Sequence, residues 1–202
     1  MITAFVGVKG SGKDFRKQQL VAAGAFPLDF KDALLDMASD LVGFDVRQDY
    51  EYFKETIVGM TAPGVPLHKS MQRQPAHHLT REILANYPSA MTGRRLLQRL
   101  GTEVMRERDS DYWANQFIKS ASDAMGRGQD VVCADCRFCN EMLAIERVAR
   151  SCGQPYQFIF CDYRSPRYDA LDPHPSEAMA QEFLQRGFKD GDIIIEDKKE
   201  NR

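Results

Sequence analysis

The sequence predicts an α/β protein in which helices cover a parallel sheet. Two observations carry this prediction: short apolar runs recur along the chain, and most of them lead into a segment with helical periodicity. Such an alternation of strands and helices is typical of a three-layer α/β/α domain. The chain has 202 residues, so we expect a single domain over residues 1–202 with an inserted helical or loop region at about residues 43–90.

A glycine-rich turn follows the first predicted strand, residues 1–6. Residues 7–14 read Gly-Val-Lys-Gly-Ser-Gly-Lys-Asp, which is the spacing of a phosphate-binding loop, with Asp14 where serine or threonine is usual. Glycines let the backbone approach an anion, and successive N–H groups at the start of the next helix, residues 14–23, form a concave anion site. The pattern therefore predicts a P-loop NTPase fold with a helical insertion or lid. The residues assigned to the phosphates of a donor nucleotide are Gly10, Ser11, Gly12 and Lys13.

The second predicted strand is followed by a basic residue. Residues 26–32 read as a short strand and turn before a helix at residues 33–42, and Lys31 lies on the loop between them. Ligands of an open parallel sheet bind at the carboxyl ends of its strands, so Lys31 is expected at the same edge as the phosphate loop. Four prolines then break the periodicity between residues 43 and 89, which indicates an insertion or lid with short helices rather than a sheet layer.

An arginine-rich helix is predicted over residues 91–108. Apolar residues recur there at helical spacing, Gly101 interrupts them, and arginines occupy the other faces. Guanidinium groups bind phosphate in a bidentate manner, so the arginines are candidates for a phosphate clamp, with a solvated helix face as the alternative. The next helix, residues 112–125, carries Trp113, which suits either the core or packing against a substrate base.

A later apolar run ends in an acid. Residues 131–135 read Val-Val-Cys-Ala-Asp, and in phosphate-loop enzymes an acid in this position holds Mg²⁺ directly or through water. Arg137 follows on a loop at the same sheet edge, where it can bind a phosphate. The rest of the pattern comprises a helix at 141–150, a strand at 157–161, a mobile loop or lid at 162–175 with Arg164 and Arg167, a helix at 176–186 and a strand at 192–196.

The composition argues against several other kinds of protein. A net charge of −2 disfavours stable nucleic-acid binding, and no apolar run approaches the roughly 20 residues of a membrane helix. No targeting segment precedes the phosphate loop, so we expect a cytoplasmic location. Five cysteines do not suggest a disulfide framework. The spacing Cys133-x-x-Cys136-x-x-Cys139 leaves a metal site open, although reduced thiols in and after a buried strand are the simpler interpretation.

Five blocks of the chain together resemble the deoxynucleoside monophosphate kinases of tailed bacteriophages. They are residues 7–14, where Gly-Lys-Asp replaces Gly-Lys-Ser or Gly-Lys-Thr; residues 26–31; residues 97–103 with Arg106 and Trp113; residues 135–141; and residues 174–177. The resemblance implies an adenylate-kinase-like fold, transfer of the γ-phosphoryl group of ATP to a deoxynucleoside monophosphate, Mg²⁺ dependence and a homodimer, in the host cytoplasm if the chain is phage-encoded. The sequence departs from the family at Phe15, where threonine is usual, and at residues 196–198.

The resemblance also implies roles for individual residues. Phosphoryl transfer needs in-line positioning of the substrates and neutralisation of the phosphate charge, and these roles provide both. The expected catalytic residues are Lys13, Asp135 and Arg137. ATP is expected on Gly10, Ser11, Gly12, Lys13 and Asp14, and Mg²⁺ on Asp14 and Asp135. The expected substrate-binding residues are Lys31, Arg94, Arg95, Arg106, Trp113, Arg137 and Glu141. Two other functions stay open: another small-molecule P-loop kinase, such as a dephospho-CoA or phosphomevalonate kinase, and a non-catalytic nucleotide-binding protein.

Overall fold

The computed structural model describes residues 1–42, 44–59, 90–162 and 178–194. Within these ranges the strands are β1 (Ile2–Val6), β2 (Phe26–Pro27), β3 (Ile57–Gly59), β4 (Ala90–Thr92), β5 (Val131–Cys133) and β6 (Tyr156–Phe160). The helices are α1 (Lys13–Ala22), α2 (Lys31–Val42), α3 (Tyr50–Glu55), α4 (Gly93–Gln98), α5 (Met105–Arg108), α6 (Tyr112–Gly126), α7 (Cys139–Ser151) and α8 (Ala178–Gln185), with a π-helical turn, Arg99–Val104, between α4 and α5.

The chain divides into two compact units. The first comprises Met1–Phe30 and Ala114–Arg202, and the second comprises Lys31–Trp113. Most of the insertion expected at about residues 43–90 lies outside the described residues, which stop at residue 59 and resume at residue 90. The expected single domain therefore stays a prediction.

A four-stranded parallel sheet forms the centre of the first unit, in the order β2-β5-β1-β6. Ile2 of β1 lies opposite Val131 of β5 on one side and opposite Tyr156 of β6 on the other. All five residues of β1 are buried, which accounts for its nearly continuous apolar sequence. Because β1 and β5 are parallel neighbours, the loop after β1 and the loop after β5 leave the sheet at the same edge.

Helices cover both faces of this sheet. On one face Ile2, Ala4 and Val6 belong to a hydrophobic cluster with residues of α6, α7 and α8. On the opposite face Phe5 belongs to a smaller cluster with Leu20 of α1. The alternation of β1 side chains between the two clusters follows from the two-residue period of a strand. The predicted α/β class, with a parallel sheet between helical layers, is confirmed.

The described part of the second unit is mainly helical. One hydrophobic cluster joins Leu35 of α2, Phe53 of α3, Leu96 of α4 and Leu100 of the π-helical turn. Strands β3 and β4 pair in antiparallel fashion on either side of residues 60–89, which lie outside the described residues. The sequence predicts an insertion or lid at residues 43–89 and does not foresee this pair, because three-residue strands leave no detectable period.

The helix predicted over residues 91–108 is interrupted by its glycine. Gly101 lies in the π-helical turn, and a Cβ at this position would be 3.2 Å from Leu34 Cδ2 of α2. The carbonyl oxygen of Gly101 accepts a hydrogen bond of 2.8 Å from Trp113 Nε1. Such turns are rare, and this one contacts α2 and the Trp113 indole through Gly101.

The C-terminal strand predicted over residues 192–196 is represented, in the described residues, by one antiparallel bridge between Ile193 and Ile159. The N–H of Ile194 donates to the carbonyl of Phe158 at 2.9 Å, and residues 195–196 lie outside the described ranges. A search of the described helices finds none that is both long and apolar enough to cross a membrane.

Candidate active site

The phosphate loop joins β1 to α1 through glycines that no other residue could replace without strain. Gly10 and Gly12 have φ angles of 79° and 82°, which side-chain-bearing residues rarely adopt. Gly7 has no room for a side chain, because a Cβ would lie 2.2 Å from the carbonyl oxygen of Cys161 and 2.6 Å from Ser11 Oγ. The glycine spacing that predicts the loop therefore has a local cause at each of these positions.

The ammonium group of Lys13 lies inside this loop. Its Nζ donates to the carbonyl oxygens of Gly7 and Val8, at 2.6 Å each, and lies 3.3 Å from Ser11 Oγ. Lys13 is buried and is the first residue of α1, so its charge adds to the positive end of the helix dipole. Loop N–H groups, dipole and ammonium together make this a place where a phosphate can bind.

An apolar cleft adjoins the phosphate loop. Its volume is about 890 Å³, and it is lined by residues 10–12 of the loop, by Phe5 and Ile159 of the sheet, and by Phe15. The Phe15 side chain is 65% exposed, and Asp14 next to it in the first turn of α1 is also exposed. Phe15, which departs from the family pattern, thus forms a wall of a cleft adjoining the phosphate loop.

Asp135 lies two residues after β5, buried at the edge of the sheet from which the phosphate loop leaves. Its Oδ1 accepts hydrogen bonds from the N–H of Phe30 at 2.9 Å and from the thiol of Cys133 at 3.3 Å. The order β5-β1 therefore brings the predicted acid and the predicted phosphate loop to the same edge.

Asp29 is a second buried acid at this edge, and the sequence reasoning missed it. It follows β2 by two residues, its Oδ1 accepts the N–H of Ala134 at 2.9 Å, and its Oδ2 lies 2.6 Å from Lys17 Nζ. An acid just after a predicted strand was the available signal, since Asp135 was recognised by the same feature. Its partner Ala134 lies 105 positions later, a pairing that no local pattern reveals.

The acids near β5 can be tested for their fit to a metal ion. One oxygen of Asp29, the sulfur of Cys133 and one oxygen of Asp135 all lie within 4.8 Å of one another. Burial raises the pKa of the Cys133 thiol well above its ordinary value, and the Asp29 carboxylate lies beside Lys17. Mg²⁺ takes oxygen ligands. Asp135 and the exposed Asp14 carry carboxylate oxygens of this kind, and their role as Mg²⁺ ligands stays a prediction.

Glu141 supports the loop that carries Arg137. Its Oε2 accepts the N–H groups of Arg137 at 2.7 Å and of Phe138 at 3.2 Å, and the residue is 2% exposed. An acid in the first turn of α7 satisfies N–H groups that the helix itself leaves without carbonyl partners. The structure thus gives Glu141 a position beneath the loop, and its predicted contact with substrate stays a prediction. Arg137 is half-buried.

The remaining predicted substrate residues belong to the second unit. Lys31 is the first residue of α2 rather than part of a loop, because that helix begins two residues earlier than predicted. Arg94 lies 2.7 Å from Glu55, and this hydrogen bond raises the pKa of Arg94. Arg95 lies 2.9 Å from Glu103, and Arg106 in α5 is half-buried. Their contacts with substrate stay predictions.

Trp113 belongs to the core of the second unit. It is 3% exposed, donates to Gly101 as described, and meets the Tyr112 ring edge-on at 4.8 Å between centroids. Of its two interpretations, the structure favours the core. The predicted lid arginines, Arg164 and Arg167, and residues 174–177 lie outside the described residues.

The five cysteines are free, and Cys133, Cys136 and Cys161 are buried. Among the described residues, the group whose potential metal-ligating atoms lie close together consists of Cys133 and two acids, Asp29 and Asp135. It does not contain all three cysteines of the Cys133-x-x-Cys136-x-x-Cys139 motif.

The parallel sheet, the glycine loop between its central strand and α1, and the buried acid after the neighbouring strand define a P-loop nucleotide-binding protein. Comparison with known families narrows this class. The family described as "Deoxynucleotide monophosphate kinase" matches residues 60–200, a range that begins after the phosphate loop. The chain belongs to this family and is a nucleotide kinase of the deoxynucleoside monophosphate kinase type. The predicted family and enzyme class are confirmed.

No curated protein matches the chain in sequence. Among solved structures, a mutant of the APS kinase CysC of Mycobacterium tuberculosis is similar over 91% of this chain and 94% of its own length, with 13% identity and a TM-score of 0.33. Membership of the family implies that a nucleotide is the substrate. Kinases of this type use ATP and typically a divalent metal.

Proposed function

We propose that this chain transfers the γ-phosphoryl group of ATP to a deoxynucleoside monophosphate, giving ADP and a deoxynucleoside diphosphate. The observation that supports it most directly is the position of Lys13, whose ammonium is buried within the glycine loop between β1 and α1. A lysine held there can meet the outer phosphates of a bound triphosphate. Family membership supplies the kind of acceptor.

The chemistry asks for positioning rather than covalent catalysis. An oxygen of the acceptor phosphate attacks the γ-phosphorus, the bond from that phosphorus to the bridging oxygen breaks, and ADP leaves. The loop N–H groups and Lys13 hold the donor phosphates and offset the charge that develops on the leaving oxygen. Arg137, on the loop that Glu141 supports, is assigned to the acceptor phosphate, which a guanidinium can bind through two hydrogen bonds.

Asp14 and Asp135 are assigned to Mg²⁺, which when bound neutralises part of the phosphate charge. Asp14 stands where a hydroxyl residue is usual, at the exposed start of α1. A carboxylate at this position repels a metal-free triphosphate, so the site should prefer the metal-bound nucleotide. A serine or threonine hydroxyl at this position would not repel the metal-free nucleotide, so the preference is specific to the Asp14 carboxylate.

The acceptor site draws on predictions from the sequence. Lys31, Arg94, Arg95, Arg106 and Trp113 stay candidates for binding the monophosphate, with Arg164 and Arg167 as candidates for a lid. A homodimer, a phage origin and a cytoplasmic location also stay predictions.

One assay tests the proposal. The chain is incubated with ATP, Mg²⁺ and each deoxynucleoside or ribonucleoside monophosphate in turn, and ADP release is followed alongside the nucleotide products. We expect at least one deoxynucleoside monophosphate to stimulate ADP release and to appear as its diphosphate. Dephospho-CoA and phosphomevalonate are included as competing acceptors. ATP binding without stimulation by any monophosphate would refute the proposed reaction.

A further inference from the structure

Two buried carboxylates connect the ends of neighbouring strands in a reciprocal way. Asp29 Oδ1 accepts a hydrogen bond of 2.9 Å from the N–H of Ala134, and Asp135 Oδ1 accepts one of 2.9 Å from the N–H of Phe30. Each acid therefore holds the backbone next to the other acid. The two bonds join the segments after β2 and β5 just beyond the residues that pair as strands. The backbone that carries Asp135 is thus fixed by a side chain from the other strand.

A third residue ties this arrangement to the phosphate loop. Lys17 Nζ lies 2.6 Å from Asp29 Oδ2, with the lysine side chain 15% and the aspartate 5% exposed. Lys17 is four residues after Lys13, so the two lysines lie on the same side of α1. A series of contacts therefore leads from Lys17 of α1, which follows the phosphate loop, through Asp29 to Ala134, the residue before Asp135. These contacts connect α1 with the loop after β5.

We propose that Asp29 is a positioning residue for the kinase reaction. Its two oxygens already contact Lys17 and the N–H of Ala134, so we assign it a role through Asp135 rather than as a ligand of the metal. Asp29 holds the backbone next to Asp135. This fixes the position of the Asp135 carboxylate, which is assigned to Mg²⁺, relative to the loop that binds the donor phosphates. The proposal rests on the proposed metal role of Asp135. Residues that orient a metal ligand in this way typically affect affinity or activity by about 10- to 100-fold.

The test uses four variants of the full chain and a matched control. Asp29→Asn keeps an oxygen that can accept the Ala134 N–H, but it leaves the Lys17 charge buried without its carboxylate. Lys17→Met and the double variant Asp29→Asn/Lys17→Met remove that buried charge. Asp135→Asn removes the proposed ligand itself. Asp123→Asn, at an exposed position of α6, is the control for loss of one negative charge.

Metal binding is measured directly, with Mn²⁺ as the probe for Mg²⁺. The electron paramagnetic resonance signal of free Mn²⁺ is followed during titration in the presence of ADP, and kcat and thermal stability are measured on the same samples. We expect Asp29→Asn, Lys17→Met and the double variant to bind Mn²⁺ about tenfold more weakly or worse and to lose a similar factor in kcat. The control should match the wild type.

The double variant separates positioning from stability. With no unpaired buried ammonium, it should be more stable than Asp29→Asn and yet keep the weak Mn²⁺ binding. If the double variant recovers Mn²⁺ affinity and kcat together with stability, the proposal is overturned. Wild-type affinity of Asp29→Asn for Mn²⁺ would overturn it as well. If Asp135→Asn alone loses Mn²⁺, only the role of Asp29 is refuted. If Asp135→Asn binds Mn²⁺ normally, the metal role of Asp135 fails and the role of Asp29 fails with it.

Discussion

Lys13 Nζ donates a hydrogen bond of 2.6 Å to the carbonyl oxygen of Gly7, six residues earlier in the chain. This bond closes the phosphate loop on itself. The group proposed to meet the donor phosphates therefore also holds the shape of the loop that surrounds it. Both partners lie within the first unit, so their relationship depends only on the loop and on the helix that follows.

Lys13→Ala should lose about 100-fold or more in turnover, because it removes a fixed positive charge from the place where charge develops. The variant should remain folded, since water can replace the ammonium at the loop carbonyls. Steady-state rates and circular dichroism check both points. Lys119→Ala, at an exposed position of α6, should behave as the wild type. Near-wild-type turnover in Lys13→Ala would remove the basis for the donor site.

Gly7→Ala should destabilise the protein by about 1–3 kcal/mol, because the new Cβ meets backbone that cannot move away easily. Its contact with the carbonyl oxygen of Cys161 would be 2.2 Å. Gly126→Ala is the matched control, since no heavy atom lies within 4 Å of its Cβ position. Urea unfolding should show a loss of stability for the first variant and little change or a gain for the second. Equal stabilities would mean that the loop tolerates a side chain at Gly7.

Arg137→Ala should raise the KM for the monophosphate, or lower kcat, far more than it changes ATP binding. The reason is its assignment to the acceptor phosphate, on a loop held by the buried Glu141 carboxylate. Initial rates at varied concentrations of each substrate measure the two effects separately. Arg147→Ala, exposed on α7, should change neither. An equal effect on ATP and on the monophosphate would contradict the acceptor assignment.

Phe15→Ala should weaken ATP binding about fivefold or more if the donor base packs on this ring, since stacking on an aromatic side chain is worth roughly 1–3 kcal/mol. The exposed ring lines the cleft that adjoins residues 10–12, which motivates this expectation. Inorganic tripolyphosphate has no base, so its inhibition constant should not change. Stability should not change either, because the side chain is exposed. Equal losses for ATP and tripolyphosphate would place the effect on the phosphates instead.

Cys139 should react with iodoacetamide well before Cys133 and Cys136 in the folded protein. Cys139 is exposed, whereas the other two are buried, and burial raises their thiol pKa well above the ordinary value. A raised pKa leaves less thiolate, the reactive form, at any pH below it. Mass spectrometry of peptides after timed labelling checks the order. Comparable rates for all three in the absence of denaturant would contradict the buried placement.

Local features account for what the sequence predicted well. The phosphate loop is recognisable because its requirements lie within eight residues: glycines with left-handed backbone, a close approach at Gly7 and the lysine that returns to the loop. Asp135 is recognisable because a buried strand is apolar and an acid directly after it stands out. Periodicity likewise predicted α6 and α7 nearly to the residue, since each buries one face against the sheet.

Periodicity alone could not assign side chains that have two plausible roles. Trp113 fits either a core or a base platform by spacing, and its bond to Gly101 in an unforeseen π-helical turn is what places it in the core. The resemblance implies substrate binding for Glu141, which stays a prediction, and the structure adds that its buried carboxylate holds the backbone of its own loop. In both cases the partner in the structure is a backbone group, which leaves no trace in the amino-acid sequence.

The amino-acid sequence by itself determined the kind of protein: an α/β nucleotide kinase with a glycine loop and a strand-ending acid. Only the tertiary structure decided which residues support that acid. Asp29 and Ala134 are 105 positions apart, and they meet because β2 pairs with β5 rather than with β1. Strand order is set by packing of the whole sheet, so contacts that depend on it cannot be predicted from neighbouring residues.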